Sequence, residues 1–199
     1  FEAGVKAEYF AGKVNASAAV FQIRQSNVAS YVGEVNGEEA YKAIDGITSR
    51  GLELEVTGEV AKDVKLSAGY TYAHVRDADG KDVFSTMLQT TQPAHLVRVQ
   101  GSWRLPASLD KVTVGGGINW QSSYFGKLWN PAAEDYARIG QGSYALINLM
   151  ARYEISKNTT ASLNVNNLMD KKYLTGLGLF ETGFYGEPRN VMFTVRTKF

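Results

Sequence analysis

Short and long connections alternate along this chain, and no other feature narrows its fold so far. The links "FAGK", "AKDV", "PASLD" and "SKN" are tight and rich in turn-forming residues. Between them lie "SNVASYVGEVNGEEAYKAIDGIT", "DADGKDVFSTMLQTTQ", "FGKLWNPAAEDYARIGQ" and "LMDKKYLTGLGLFETGFYGEP". Each is longer than the ~12–15 residues beyond which a structureless loop is unusual in a compact domain. Antiparallel neighbours joined this way put every tight turn at one end of an up-and-down sheet and every long loop at the other.

The segments that these links join alternate apolar and polar residues with a period of two, the strand period. Nine are read, at roughly 1–9, 14–25, 49–60, 64–76, 94–105, 111–124, 143–155, 159–167 and 189–199. Helix-period stretches are absent apart from a short turn expected near "NPAAEDYARI", so the class is all-β. In three of these strands one face holds His95, Val97, Val99, Gly101, Trp103 and Leu105; then Ala145, Ile147, Leu149, Ala151, Tyr153 and Ile155; then Val191, Phe193, Val195, Thr197 and Phe199. With His neutral, none is charged. The interleaved face holds Arg98, Arg104, Arg152, Glu154, Arg196 and Lys198. Leu52, Leu54, Val56 and Val60 stand against Glu53, Glu55, Thr57 and Glu59 in the same way.

Such alternation suits two folds. A soluble sandwich or lipocalin-like barrel turns its apolar face to a core; an outer-membrane barrel turns it to lipid, where an Arg or Lys at the midplane costs ~2–4 kcal/mol. Three features favour the transmembrane antiparallel up-and-down β-barrel. The strands match the ~9–11 residues a tilted strand needs to cross a membrane. Aromatics sit near strand ends (Tyr9, Tyr72, Trp103, Tyr124, Tyr153, Phe199), as girdles do, and the loops alternate in length. If tight turns are periplasmic and long loops extracellular, the first and ninth strands both descend. Closed single-chain bacterial barrels have an even number, so the opening part of the barrel is expected to lie outside this sequence. "FEAGVKAEYF" carries charges where a signal peptide is apolar, so the chain is expected to begin mature or mid-protein. A net charge of +1 gives no electrostatic argument for nucleic acid, and zero cysteines removes thiolate chemistry.

"SRGLELEVTGEVAKDVKLSAGYTYAHV", "YALINLMARYEISKNTTASLNVNNLMDKKY" and "YGEPRNVMFTVRTKF" resemble the closing strands of TonB-dependent outer-membrane receptors. The closest branch is the ferric-siderophore one, with its coprogen, hydroxamate and pyoverdine receptors. "NNLMDKKY" and "GEPRN" are the most specific pieces; Met169 departs from the aromatic common at its position. The resemblance implies a barrel of about 22 strands with a plugged lumen. The chain would be its C-terminal nine or so strands, at residues 1–199, with the N-terminal plug and first half of the barrel outside the sequence. It implies a ferric siderophore as ligand, TonB as partner through the absent N-terminal part, and outer-membrane lipid and lipopolysaccharide around the wall. It also implies that the barrel-assembly machinery reads Val191, Phe193, Val195 and Phe199. Thr197 departs, since a large apolar residue is more usual there. A passive porin-like channel stays open as the alternative, beside the soluble β-sandwich.

No enzyme constellation is found, and no cofactor is expected. His74 and His95, the only histidines, sit at strand ends, where a hydrogen-bonded polar role outweighs direct metal ligation. The carboxylate row Glu53, Glu55 and Glu59 is expected to meet basic neighbours or the plug. "GGG" at 115–117 precedes no helix and reads as close backbone packing rather than a phosphate loop. For a compact polar chelate with an organic periphery, aromatic planes with a cation are the fitting residues. Tyr124, Phe125, Trp129, Tyr136 and Arg138 of one long loop offer these. Tyr31 and Tyr41 of the first loop, and Phe180, Phe184 and Tyr185 of the last, add to them.

Overall fold

A computed structural model describes residues 1–44, 46–83, 91–177 and 182–199. Its strands are β1 (Glu2–Tyr9), β2 (Val14–Arg24), β3 (Val28–Val35), β4 (Glu38–Ile44), β5 (Thr48–Ala61), β6 (Val64–Arg76), β7 (His95–Arg104), β8 (Val112–Gln121), β9 (Tyr124–Asn130), β10 (Asp135–Gln141), β11 (Tyr144–Glu154), β12 (Thr159–Asn166), β13 (Leu174–Leu177), β14 (Gly183–Tyr185) and β15 (Asn190–Thr197). Nine of them form one sheet in the order β1-β2-β5-β6-β7-β8-β11-β12-β15. Each consecutive pair in it is antiparallel. These are the nine segments read from alternation, with ends displaced by three residues or fewer.

Three of the long links carry structure that the sequence reading left out. β3–β4, β9–β10 and β13–β14 are separate two-stranded hairpins at the long-loop end. The helical turn expected near "NPAAEDYARI" is instead the turn of β9–β10, with β10 resuming at Asp135. The expected strand 111–124 ends at Gln121, and Tyr124 opens β9, so Tyr124 is no girdle aromatic.

Pairing register and pleat divide the sheet into two faces. One hydrogen-bonded row runs Tyr9, Val14, Gly58, Leu66, Gly101, Gly116, Leu149, Val165, Val191. Aligned positions on this face include Val5, Ala18, Leu54, Tyr70, Val97, Trp120 and Ala145. From β1 to β15 it carries no carboxylate and no lysine. The girdle slides along the rows: Trp103 lies two residues beyond Gly101, and Tyr153 four beyond Leu149. That is the stagger a tilted barrel wall requires.

Among the described residues each sheet strand makes substantial contact only with its hydrogen-bonded neighbours, and no second layer covers the apolar face. Val5 is 70% exposed, Phe193 68% and Ile118 46%. The buried apolar side chains among the described residues are Val14, Tyr124, Tyr144 and Leu177. A soluble sandwich buries its apolar face; here that face is bare, which is the arrangement of a barrel wall in lipid. The opposite face carries Glu53, Glu55, Arg98, Gln100, Asn119, Asn148 and Asn164. In "GGG", a Cβ on Gly115 would lie 2.6 Å from the Gly101 carbonyl oxygen and one on Gly117 2.8 Å from that of Val99, so this is close backbone packing.

Candidate functional site: a two-faced hairpin at the long-loop end

Strand parity sorts the third-loop candidates. In the β9–β10 register Phe125 faces Gly140, Lys127 faces Arg138 and Trp129 faces Tyr136. Phe125, Lys127, Trp129, Tyr136 and Arg138 therefore share one face. The Arg138 guanidinium lies 3.6 Å from the centre of the Phe125 ring. Trp129 and Tyr136 meet edge to face, with centroids 5.3 Å apart. Two cations stand directly opposite one another in the middle of this face. Like charges so placed repel across a strand pair, and an anionic group lying over them relieves that repulsion. Lys127 was missed in the sequence; only its register opposite Arg138 reveals it.

Tyr124 lies on the other face with Gly126, Leu128, Ala137, Ile139 and Gln141. It is 7% exposed, and its hydroxyl donates to the Leu174 carbonyl at 2.8 Å. Gln141, directly across from Tyr124, accepts the Leu174 N–H at 2.8 Å through Oε1. One cross-strand pair thus grips both backbone polar groups of a single residue on β13. Burial pushes the Tyr124 phenol above its usual range. On the far side, the Thr91 N–H donates to the Phe125 carbonyl at 2.8 Å, and the Phe125 N–H donates to Thr91 Oγ1 at 3.1 Å. A cavity of about 220 Å³ lies between hairpin and wall, lined by Ala73, Val75, Thr91, Phe125 and Arg138.

The remaining candidates are dispersed. Tyr41 is exposed on the β3–β4 hairpin and donates to Glu39 Oε2 at 2.5 Å, which raises its phenol. Tyr31 pairs with it in backbone register; its side chain, like Phe180, lies outside the described residues. Phe184 and Tyr185 are exposed on β14, at 44% and 77%. Of the histidines, His95 Nδ1 lies 2.9 Å from the Tyr70 hydroxyl. Glu59 meets Lys13 at 3.9 Å.

"NNLMDKKY" and "GEPRN" grip each other. Asn167 is 4% exposed; its Nδ2 donates to the carbonyls of Lys171 at 2.9 Å and Glu187 at 3.0 Å, and its Oδ1 accepts the Lys171 N–H at 2.8 Å. Its own N–H donates to Asn148 Oδ1 at 2.9 Å. Asp170 Oδ1 accepts the Arg189 N–H at 2.9 Å, and Asn166 Nδ2 donates to Asn190 Oδ1 at 2.9 Å. These residues seat the last loop on the wall.

Residues 1–168 match the family model described as TonB dependent receptor-like, beta-barrel. The chain is 40% identical over 199 residues to the ferric-pyoverdine BN7/BN8 receptor of Pseudomonas putida, covering all of this chain and 22% of that protein. It is 37% identical over 206 residues to the ferripyoverdine receptor of Pseudomonas aeruginosa, covering 100% of this chain and 24% of that one. The crystal structure of the ferripyoverdine receptor of the outer membrane of Pseudomonas aeruginosa, bound to ferripyoverdine, superposes with a TM-score of 0.89 at 36% identity. That match takes in 98% of this chain and 26% of the solved one. The chain thus spans about a quarter of the length of these relatives. Register, bare apolar face and family match agree: this chain belongs to the TonB-dependent receptor-like β-barrel family.

Proposed function

We propose that this chain is part of the wall of an outer-membrane active transporter that binds a ferric siderophore at its long-loop end. Transport inward draws on TonB-derived energy acting on a plug domain beyond this chain, inside a barrel of about 22 strands. The wall performs no covalent chemistry. The observation that carries the reading is the β9–β10 face, where Phe125, Trp129 and Tyr136 frame Lys127 and Arg138. Aromatic planes suit the organic periphery of a chelate, and the two cations suit its negative charge. Long loops face the cell exterior; tight turns and the end of β15 face the periplasm. Tyr31, Tyr41 and Tyr185 supply outlying contacts, while Tyr124 holds the hairpin. Val191, Phe193, Val195 and Phe199 present the outward apolar row that the barrel-assembly machinery reads. The named relatives make a pyoverdine the first chelate to try.

The test is quenching of tryptophan fluorescence in the whole receptor that carries this chain, titrated with a panel of ferric siderophores and their iron-free forms. One ferric chelate is expected to bind saturably, with affinity reduced roughly tenfold by Trp129→Ala or by Arg138→Gln. Equal affinity in both variants removes the hairpin from the site. Absence of binding by every chelate overturns the substrate class.

A further inference from the structure

Thr91 is 9% exposed, and its polar groups are spent on one residue. Its N–H and its hydroxyl both donate to the Phe125 carbonyl, the hydroxyl at 3.1 Å, and its Oγ1 accepts the Phe125 N–H. Phe125 is thereby held at both backbone polar groups, and its ring carries the Arg138 guanidinium. The second loop is also closed near its start, where Arg76 and Asp82 form an isolated antiparallel bridge and an ion pair. Wall, second loop and third-loop hairpin meet in this way around the cavity of about 220 Å³.

Charge and size restrict what this cavity can take. Its lining includes Arg76, Asp82 and Arg138. Arg76 and Asp82 neutralise one another, and Arg138 makes no ion pair among the described residues, so with His74 neutral the lining keeps one positive charge. Stacking on Phe125 covers one face of the guanidinium and leaves its N–H edge, the part that binds a carboxylate through two parallel hydrogen bonds. The side chains of Gln92 and Ser123, also in the lining, have no hydrogen-bond partner among the described residues. One cation with two neutral donors balances a carboxylate, whereas a phosphate monoester would leave roughly another charge unmatched. Sites that enclose a whole small molecule run to ~300–1,000 Å³, so this one suits an arm rather than a chelate. Phe125 and Trp129 are four residues apart, about 13 Å of strand. An arm in the cavity therefore leaves the body of a chelate over the Trp129–Tyr136 pair.

We propose that the cavity beside Arg138 is a subsite for a carboxylate-bearing arm of the bound chelate. Arg138, Ser123 and Gln92 are its donors, and Thr91 is the positioning residue that sets Phe125 beneath Arg138. The subsite rests on the β9–β10 face being a chelate site.

Succinate, with neutral succinamide as control, probes the cavity without a chelate. The whole receptor in micelles carries 4-fluorophenylalanine at position 125, and its fluorine resonance is followed. Succinate is expected to shift that resonance saturably, with half-saturation on the order of 10 mM, and succinamide to leave it in place. Arg138→Gln should weaken succinate binding roughly tenfold. Thr91→Val, which keeps the shape and loses the hydroxyl, should weaken it roughly threefold, and Thr91→Ser should return it to within about twofold of the parent. A Thr91 that served stability alone would lower the unfolding midpoint in Thr91→Val and leave the succinate affinity of the folded receptor where it was. Heat-modifiable migration checks that each variant is folded; should Thr91→Val fail that check, Thr91→Ala takes its place. No shift with succinate, an equal shift with succinamide, or parental affinity in Arg138→Gln overturns the subsite. Equal affinities in Thr91→Val and Thr91→Ser overturn the positioning role. Chelate quenching on the same samples is read separately. Succinate binding without binding of any ferric chelate strikes the transport reading alone, and a bound chelate whose affinity saturating succinate leaves unchanged strikes the subsite alone.

Discussion

Asn167 combines a backbone requirement with a hydrogen-bonding one. Its φ is +48°, a region that Asn tolerates better than other side-chain-bearing residues, and its amide joins Lys171 and Glu187 across the last loop. Asn167→Gly keeps the backbone easy and removes three part-buried side-chain bonds, at a cost of about 1–3 kcal/mol. Asn167→Ala loses the same bonds and adds roughly 1 kcal/mol for the left-handed conformation. Denaturant unfolding of the refolded receptor in micelles measures both, and Ala no worse than Gly would refute the backbone half of this account. The sequence marked "NNLMDKKY" and "GEPRN" as distinctive but not as partners. Nothing in a linear reading shows that residues 167 and 187 meet.

β9 shows what alternation can and cannot reveal. The nine wall strands were legible because lipid on one side and polar lumen on the other enforce a period of two over many residues. The loop hairpins lie outside that environment, so their pattern is weaker. One signal was nonetheless present: Asn36-Gly37, with φ values of +57° and +83°, is a dipeptide suited to a tight hairpin turn. At the candidate site Tyr124 and Phe125 looked equivalent as loop aromatics. Once 124–130 is a strand, adjacent residues point to opposite faces, and the pair divides into a clamp and a residue of the proposed ligand surface. Tyr124→Phe should leave the Leu174 carbonyl without its donor, at about 1–2 kcal/mol. Amide hydrogen exchange over 173–177 should then quicken by roughly tenfold, and unchanged protection would count against the clamp. Burial favours the neutral phenol in the folded state, so its folded value lies above the unfolded one. The clamp's contribution is therefore complete below the ordinary phenol range and is lost only as pH rises through the raised value.

At the scale of the whole molecule, orientation decides which side each loop serves. These 199 residues hold no cysteine, so this part of the receptor adds no thiol beside a single introduced one. In intact cells a membrane-impermeant maleimide should label Ala132→Cys, in the β9–β10 turn, and spare Lys62→Cys, in the tight turn after β5. Labelling of the second and not the first would invert the topology. Between those two ends the last loop is fastened twice: Asn167 holds it to the wall, and Tyr124 with Gln141 holds Leu174 to the neighbouring hairpin. The stretch 167–174, tethered at both ends, has little independent freedom left to lose. A ligand that stills the aromatic face therefore also stills the neighbouring loop through Leu174, and the entropy of ordering one is shared with the other. The two loops should respond to a ligand as one cooperative unit.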